Sequence, residues 1–306
     1  MDEIDVVIVG GGPAGLSAAL VLGRCLRKVV ICDSGQPRNA ASKTIHGYLT
    51  RDNFPPLEFL EIGRSQLARY ENIKFLNIEV TGVRLKSDGF DVALNDGTIL
   101  SCRKLLLASG MVDDLPEVNG IKELYGQSVF HCPYCDAWEF RGLPMVVYGN
   151  GKKGHGLSVD LKNWTDQVAL CTDGPSILSS EEEQDLAKHN IPLFDEKIEK
   201  ICKTESAFSI VEFSSGKTLE FAAMFFTTGQ RQRSDLPEKL GCEFNERGTV
   251  ETNEYQVTCV PNLYVAGDAS EALQFVIVAA AEGAKAAFAI NKSLIAKDIK
   301  GNSAGK

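Results

Sequence analysis

Cys132 and Cys135 are the residues of this chain best suited to chemistry. They stand in the string His131-Cys132-Pro133-Tyr134-Cys135-Asp136, and two thiols at CxxC spacing can close a small disulfide. A helix N-terminus at that point would draw a thiolate pKa from about 8.5 towards neutrality and favour exchange. The carboxylate of Asp136 can relay a proton to or from a departing thiolate. A second chemical element lies at the start of the chain. Gly10-Gly11-Gly12-Pro13-Ala14-Gly15 fits GxGxxG, whose glycines give a tight turn, close backbone approach to a pyrophosphate, and close packing of helix on strand. The phosphate then rests on unpaired N–H groups at the positive end of the helix. Asp33 closes the next strand, where a carboxylate accepts hydrogen bonds from a ribose. A third element, Tyr264-Val265-Ala266-Gly267-Asp268, places an aspartate after a buried strand. By itself it could be a helix cap; paired with the first it orients the diphosphate–ribityl region of a flavin.

These residues need elements to hold them. Ile4–Val9 is a short apolar run, Ala14–Leu22 an Ala/Leu-rich stretch and Val29-Val30-Ile31 a β-branched run, which together read as a βαβ unit. Pro55-Pro56 opens a helix carrying Leu57, Leu60, Ile62 and Leu67. From Ile73 the pattern shortens and alternates. Phe90–Leu94 and Thr98–Leu100 flank the hairpin signal Asn95-Asp96-Gly97, and Lys104–Ala108 reads as a buried strand running into Ser109-Gly110. A Pro/Gly-rich stretch, Leu115 to Gly120, marks a boundary. Beyond it the plan recurs: strand Pro144–Tyr148, glycine turn Gly149–Gly154, a helix to about Trp164 and strand Gln167–Thr172. A second hairpin region and a strand, Ala222–Thr227, follow. The first plan resumes with Asn262–Ala266 and a long helix from about Gln274, and the last six residues look frayed. The expected fold is α/β: two Rossmann-like, three-layer nucleotide-binding domains, the second inserted into the first, with β-meander additions. The expected division is 1–114 with 247–306 as one discontinuous nucleotide-binding domain and 115–246 as a second carrying the CxxC.

Composition narrows the classes further. The 306 residues carry a net charge of −9 and no clustered basic stretch, so neither nucleic acid nor an anionic membrane is an expected partner. The apolar stretch Val6–Gly23 follows acidic residues and is interrupted by glycines, unlike a signal peptide or an anchor. A cytoplasmic location is expected. Nine cysteines at scattered positions suit a reducing compartment, and the seven outside the CxxC are expected to serve packing. Other readings of the CxxC fit less well. A zinc site needs four ligands, and only His131 is near, with no second CxxC or HxxxH, so no metal is expected. CPYC also occurs in glutaredoxin-like domains, but those are short and self-contained. A buried structural pair sits poorly with a Pro-Tyr spacer and flanking charge.

Taken in order, GGGPAG, the strand end Leu106-Leu107-Ala108-Ser109-Gly110, the CxxCD block, Thr227-Thr228-Gly229 and the AGDA block resemble the low-molecular-weight thioredoxin reductase-like FAD flavoproteins over essentially the whole chain. The resemblance implies FAD, a homodimer, and a CxxC that works against the flavin. It implies that 1–114 with 247–306 is the FAD-binding domain and 115–246 an NAD(P)-type domain. It implies that Cys135 faces the isoalloxazine, that Cys132 exchanges with a thioredoxin-like protein or a small disulfide or dithiol, and that Asp136 is the acid/base. It assigns Gln274, Phe275 and Val276 to the helix start under the flavin, and Gly110 and Gly267 to the cofactor turns. Gln36-Pro37-Arg38-Asn39 and His46-Gly47-Tyr48-Leu49 resemble the branch that includes dithiol oxidases of disulfide natural products, which would set Gln36, Arg38, Asn39 and His46 near the cofactor; a loop histidine is the alternative for His46. The second glycine turn departs from the pattern. Its following strand ends Leu170-Cys171-Thr172-Asp173-Gly174, where NADPH-using members carry arginines; a 2′-phosphate prefers a guanidinium fork, and Asp173 would repel it. Three electron routes stay open: NADPH or NADH as donor, oxygen as acceptor with a dithiol oxidised, or another redox protein. A non-catalytic redox sensor is the alternative outside enzymes.

Overall fold

A computed structural model of the chain describes residues 4–205 and 208–304. The chain divides into two compact units. Unit 1 comprises residues 1–40, 47–112 and 231–306; unit 2 comprises residues 41–46 and 113–230.

Unit 1 opens with β1 (Ile4–Val9), α1 (Pro13–Arg24) and β2 (Val29–Asp33), then α2 (Pro56–Leu67), β3 (Ile73–Asn77), β4 (Val80–Lys86), β5 (Gly89–Leu94) and β6 (Ile99–Leu107). β1 pairs in parallel with β2 and β6, and β2 with β3. Neighbouring β1 residues serve opposite faces: Val6 and Ile8 pack with α1, while Val7 and Val9 pack with Leu105, Leu107 and Val265. Burial on both faces explains why β1 is a continuous apolar run rather than an alternating one. The expected strands Thr98–Leu100 and Lys104–Ala108 are one strand, β6, because Cys102 and Lys104 are buried and keep the ladder unbroken. The Asn95-Asp96-Gly97 hairpin forms, with Gly97 at φ +85° and its N–H donating to the Leu94 carbonyl.

The chain leaves unit 1 through β7 (Met111–Asp113). Unit 2 then runs α3 (Ile121–Leu124), β8 (Val129–Phe130), α4 (Pro133–Asp136), a 3₁₀ turn (Ala137–Phe140), β9 (Met145–Tyr148), α5 (Gly151–Leu161), β10 (Val168–Cys171) and α6 (Ser180–Lys188). It continues with β11 (Leu193–Phe194), β12 (Ile198–Lys203), β13 (Ser209–Phe213), β14 (Thr218–Phe221) and β15 (Ala223–Phe226). Its parallel sheet has the order β11-β10-β9-β15-β8, and β12-β13-β14 form an antiparallel meander. β16 (Gln230–Gln232) pairs with β7, followed by α7 (Leu236–Lys239), β17 (Leu263–Val265) beside β6, and α8 (Val276–Ala304). The return to unit 1 falls at Arg231 rather than 247, since Leu236, Cys242 and Val250 bury against Val7 and Leu105. The helix expected to fray over the last six residues continues to Ala304, and 305–306 lie outside the described residues.

Candidate active site

Cys132 and Cys135 are joined in a disulfide with their Cα atoms 5.3 Å apart. The local sequence sets this geometry. Cys132 is the extended N-cap residue of α4, Pro133 occupies the first helical position, and the Cys135 N–H points back at Cys132 Sγ at 3.2 Å. That donor stabilises a thiolate on Cys132 once the bond is reduced. Asp136 follows at the end of α4. Burial, with a smaller contribution from the Glu139 carboxylate, pushes its carboxyl up from 3.8 to about 7. A carboxyl in that range holds a proton near neutrality and can release it. Tyr134, 71% exposed, meets Trp164 edge-on, and exposed Trp138 carries the Arg141 guanidinium 3.8 Å from its ring centre. His131 is set by the Tyr125 hydroxyl at 3.3 Å, which also donates to Asp113 at 2.7 Å.

Of the other cysteines, Cys32, Cys102, Cys171 and Cys242 are buried, and burial raises their thiols to about 11, 12, 12 and 11. They are inert packing groups. Cys25 and Cys259 are exposed and Cys202 is partly so, which corrects the expectation that all seven serve packing. Among the described residues no three His, Cys, Asp or Glu side chains are gathered to hold a metal.

In unit 1 the glycine turn is constrained by its surroundings. Gly10 has φ +109°, and a Cβ there would lie 2.2 Å from the Ala108 carbonyl oxygen; a Cβ on Gly15 would lie 2.0 Å from the Gly10 oxygen. Around Gly12, by contrast, a Cβ would meet nothing within 4 Å, and no side chain caps the helix that begins at Pro13. Ala14 is buried, with Gly267 and Gly283 of α8 close against it. Asp33 lines a cavity of about 290 Å³ with Gln36, Asn77 and Glu79. The carboxylate of Asp33 accepts from the Arg64 guanidinium at 2.7 Å, while Arg64 Nε and Ser109 Oγ are buried with no partner among the described residues. An open helix N-terminus, a carboxylate at the end of the next strand with a cavity beside it, and orphaned buried donors fit a dinucleotide such as FAD.

Three expected residues far apart in the chain meet directly. The Arg38 guanidinium donates to Asp268 at 2.8 Å and to the Gln274 side-chain oxygen Oε1 at 2.5 Å. The Gly267 N–H donates to buried Glu282 at 2.7 Å; burial raises that carboxyl to about 7. Phe275 and Val276 lead into α8, Gly110 at φ +71° turns the chain after β6, and Asn39 lies in a 3₁₀ turn. His46 groups with unit 2, its Nε2 2.9 Å from Thr44 Oγ1 and 3.6 Å from Glu139. Sequence reasoning missed Arg64, Ser109, Glu139, Glu282 and Gly283. None sits in a recognisable spacing, and each is singled out by its surroundings in the fold rather than by its neighbours in sequence.

The second glycine turn is bound up with its own chain. Asn150 caps α5 through the Gly151 N–H, and the same oxygen accepts from the Ile177 N–H, while its amide donates to the Pro175 carbonyl. Asp173, at φ +54°, accepts from the Tyr148 hydroxyl, Lys197 and the Ile198 N–H, all within 2.9 Å. Lys152 and Lys153 are exposed.

Residues 4–283 match the pyridine nucleotide-disulphide oxidoreductase family. The chain belongs to this family. A thioredoxin reductase of Aspergillus oryzae is 29% identical over 302 residues, covering 95% of this chain and 96% of its own. A thioredoxin reductase of Claviceps purpurea is 30% identical over 282 residues, covering 87% and 86%. The crystal structure of an oxidoreductase from Agrobacterium tumefaciens superimposes with a TM-score of 0.89 at 30% identity, covering 96% of this chain and 99% of that one. The family member is therefore a thioredoxin reductase-like flavin disulfide oxidoreductase that uses FAD, built on the two-domain Rossmann-like fold. No helix among the described residues is long and apolar enough to cross a membrane.

Proposed function

We propose that electrons pass between FAD and a partner through Cys132 and Cys135, with Cys132 exchanging and Cys135 serving the flavin. Unit 1 is the FAD domain, held by Gly10, Gly12, Pro13, Ala14, Gly15, Asp33, Gln36, Arg38, Asn39, Gly110, Gly267, Asp268, Gln274, Phe275 and Val276. Unit 2 is the NAD(P)-type domain that carries the redox pair. Bound FAD supplies a two-electron donor and acceptor. The chain's own residues manage the sulfur and proton steps. An incoming thiolate bonds to Cys132 Sγ, the Cys132–Cys135 bond breaks, and the departing Cys135 thiolate takes the Asp136 proton. A second thiol of the substrate then closes the product disulfide and releases Cys132. The same steps reversed reduce a substrate disulfide, since about 30 mV of potential difference, roughly 1.4 kcal/mol, sets the direction. The observation that carries the reading is the disulfide with an elevated carboxyl immediately beside it.

The partner is a thioredoxin-like protein or a small disulfide or dithiol, in the cytoplasm. The protein works as a homodimer; exposed Tyr255, Ile277, Phe288 and Ile295 of unit 1 supply apolar surface for it. An oxygen-dependent dithiol oxidase is the second reading, favoured by the state of Asp173. Its carboxylate is satisfied by Tyr148, Lys197 and Ile198, and it offers negative charge where a 2′-phosphate needs positive. The test is an anaerobic titration of the purified flavoprotein with NADPH, NADH and dithiols, followed by oxygen. Dithiols should bleach the flavin and NADPH should do so poorly. Rapid bleaching at micromolar NADPH refutes the oxidase reading, and a dithiol that leaves the flavin untouched refutes the exchange role of the pair.

A further inference from the structure

We propose that His46 is a positioning residue for the proton of Asp136, acting through the carboxylate of Glu139. The inference rests on the acid/base role of Asp136 given above. His46 belongs to a segment, residues 41–46, that lies in sequence between β2 and α2 yet groups with unit 2. The segment is seated closely. A Cβ on Gly126 would lie 2.3 Å from the Ala41 carbonyl oxygen, and Ile45 is buried. Its histidine is 14% exposed at the side chain and puts Nε2 3.6 Å from Glu139 Oε1.

The charges around Asp136 make this contact consequential. Glu139 stands one helical turn beyond Asp136 and is the charged neighbour that adds to burial in favouring its protonated form. Arg141, which follows, is turned to Trp138, with its guanidinium over the indole and donating to the Trp138 carbonyl. On the other side of the cysteines, His131 and Asp113 meet through Tyr125. His46 sets its Nε2 3.6 Å from Glu139, where a protonated ring is a cation facing the carboxylate, and Thr44 Oγ1 at 2.9 Å orients the same nitrogen. An Nε2–H between a hydroxyl and a carboxylate is favoured, because a bare Nε2 would set a lone pair against the anion. A protonated His46 offsets the field of Glu139 at Asp136 and lets Asp136 release its proton at lower pH. Loss of that charge removes this offset and makes Asp136 hold its proton to higher pH. The contact therefore sets the pH range over which the thiolate leaving Cys132–Cys135 finds a proton.

The test is a double-mutant cycle read as a pH profile. Stopped-flow reduction of the oxidised flavoprotein by dithiothreitol is measured from pH 5 to 9 in wild type, Glu139→Gln, His46→Gln, His46→Asn and the pair Glu139→Gln with His46→Gln. The ionisation of dithiothreitol is common to all and cancels in the ratio to wild type. Glu139→Gln should move the Asp136 inflection to lower pH, and both His46 variants should move it to higher pH, each by about half a pH unit or more. In the Glu139→Gln background, His46→Gln should cause no further movement. Flavin content and far-UV circular dichroism confirm each fold, and two histidine variants guard against one misfolding. Asp136→Asn is the control and should abolish the inflection. An inflection that survives Asp136→Asn overturns the acid/base reading and this inference with it. An inflection lost in Asp136→Asn but unmoved by the histidine variants, or moved equally with Glu139 absent, overturns the inference alone.

Discussion

Replacing Asp136 by Asn should make the protein more stable above neutral pH while removing its proton-transfer capacity. The native carboxyl is raised from 3.8 to about 7, chiefly by burial and then by Glu139. The folded state therefore binds a proton that the unfolded chain releases, and this group favours folding at low pH. Its contribution is complete below about pH 4 and is lost as pH rises through 7. At roughly 1.4 kcal/mol per pH unit, the full span is about 4 kcal/mol, and roughly 2 to 3 kcal/mol of it lies between pH 5 and pH 8. Asparagine keeps the shape, carries no charge and has no such dependence. Urea unfolding of the flavin-loaded protein at pH 5 and pH 8 measures the difference. The variant's advantage over wild type should grow by roughly 2 to 3 kcal/mol between those conditions, while dithiol turnover at pH 7 falls by about 100-fold or more. A stability difference independent of pH would show that the Asp136 carboxyl is not held protonated, and the reasoning would fail.

Cys132→Ser should abolish thiol–disulfide turnover and leave the protein yellow, measured by dithiol oxidation and by flavin absorbance after gel filtration. Gly10→Ala should lose FAD and stability together, because its Cβ would overlap the Ala108 carbonyl at 2.2 Å; FAD retained at wild-type stoichiometry would contradict this. Lys104 is 1% exposed, donates to Asn262 and Ser293 at 2.6 Å, and is lowered by burial and by Lys297 to about 8. Its native form sheds a proton that the unfolded chain keeps, so wild-type stability should rise by roughly 2 kcal/mol from pH 8 to 10. Lys104→Met should flatten that rise in the same urea assay.

Much of the redox centre could be read from the sequence because its elements are local. Pro133 at the first position of α4 and the Cys132 N-cap are properties of six consecutive residues, and the Gly10–Gly15 turn is a property of one βαβ unit. Long-range order was less legible. That Arg38 would reach both Asp268 and Gln274 requires bringing a loop after β2 to the start of α8, and no spacing encodes it. Arg64 stands one turn after buried Leu60 in α2 and reads as an ordinary surface cation until the fold carries it to Asp33. Residues 41–46 lie in sequence between two elements of unit 1, yet they pack with unit 2, where Glu139 meets His46. In each case a tertiary partner decided the role, and local pattern carried no record of it.

The two glycine turns make the same point with opposite outcomes. Each follows a parallel strand, opens a helix and is succeeded by a strand with an aspartate at its end (Asp33) or two residues past it (Asp173), so local chemistry alone would give both a dinucleotide. Asp33 keeps an open cavity beside it, and its partner Arg64 still has a buried Nε without a partner among the described residues. Asp173 is saturated by a tyrosine, a lysine and a backbone N–H, and Asn150 ties the loop at Pro175 and Ile177 to the first turn of α5. To accept a ribose, Asp173 would have to give up hydrogen bonds that it already makes, and each charge-assisted bond costs about 1.5 to 3 kcal/mol to lose. To accept a 2′-phosphate it would also have to overcome like charge. On the proposed reading, NADPH binding in unit 2 would be opposed twice, by competition and by repulsion, and NADH binding once, by competition. The dithiol side of the chemistry depends on neither, since Cys132, Cys135 and Asp136 stand outside that turn.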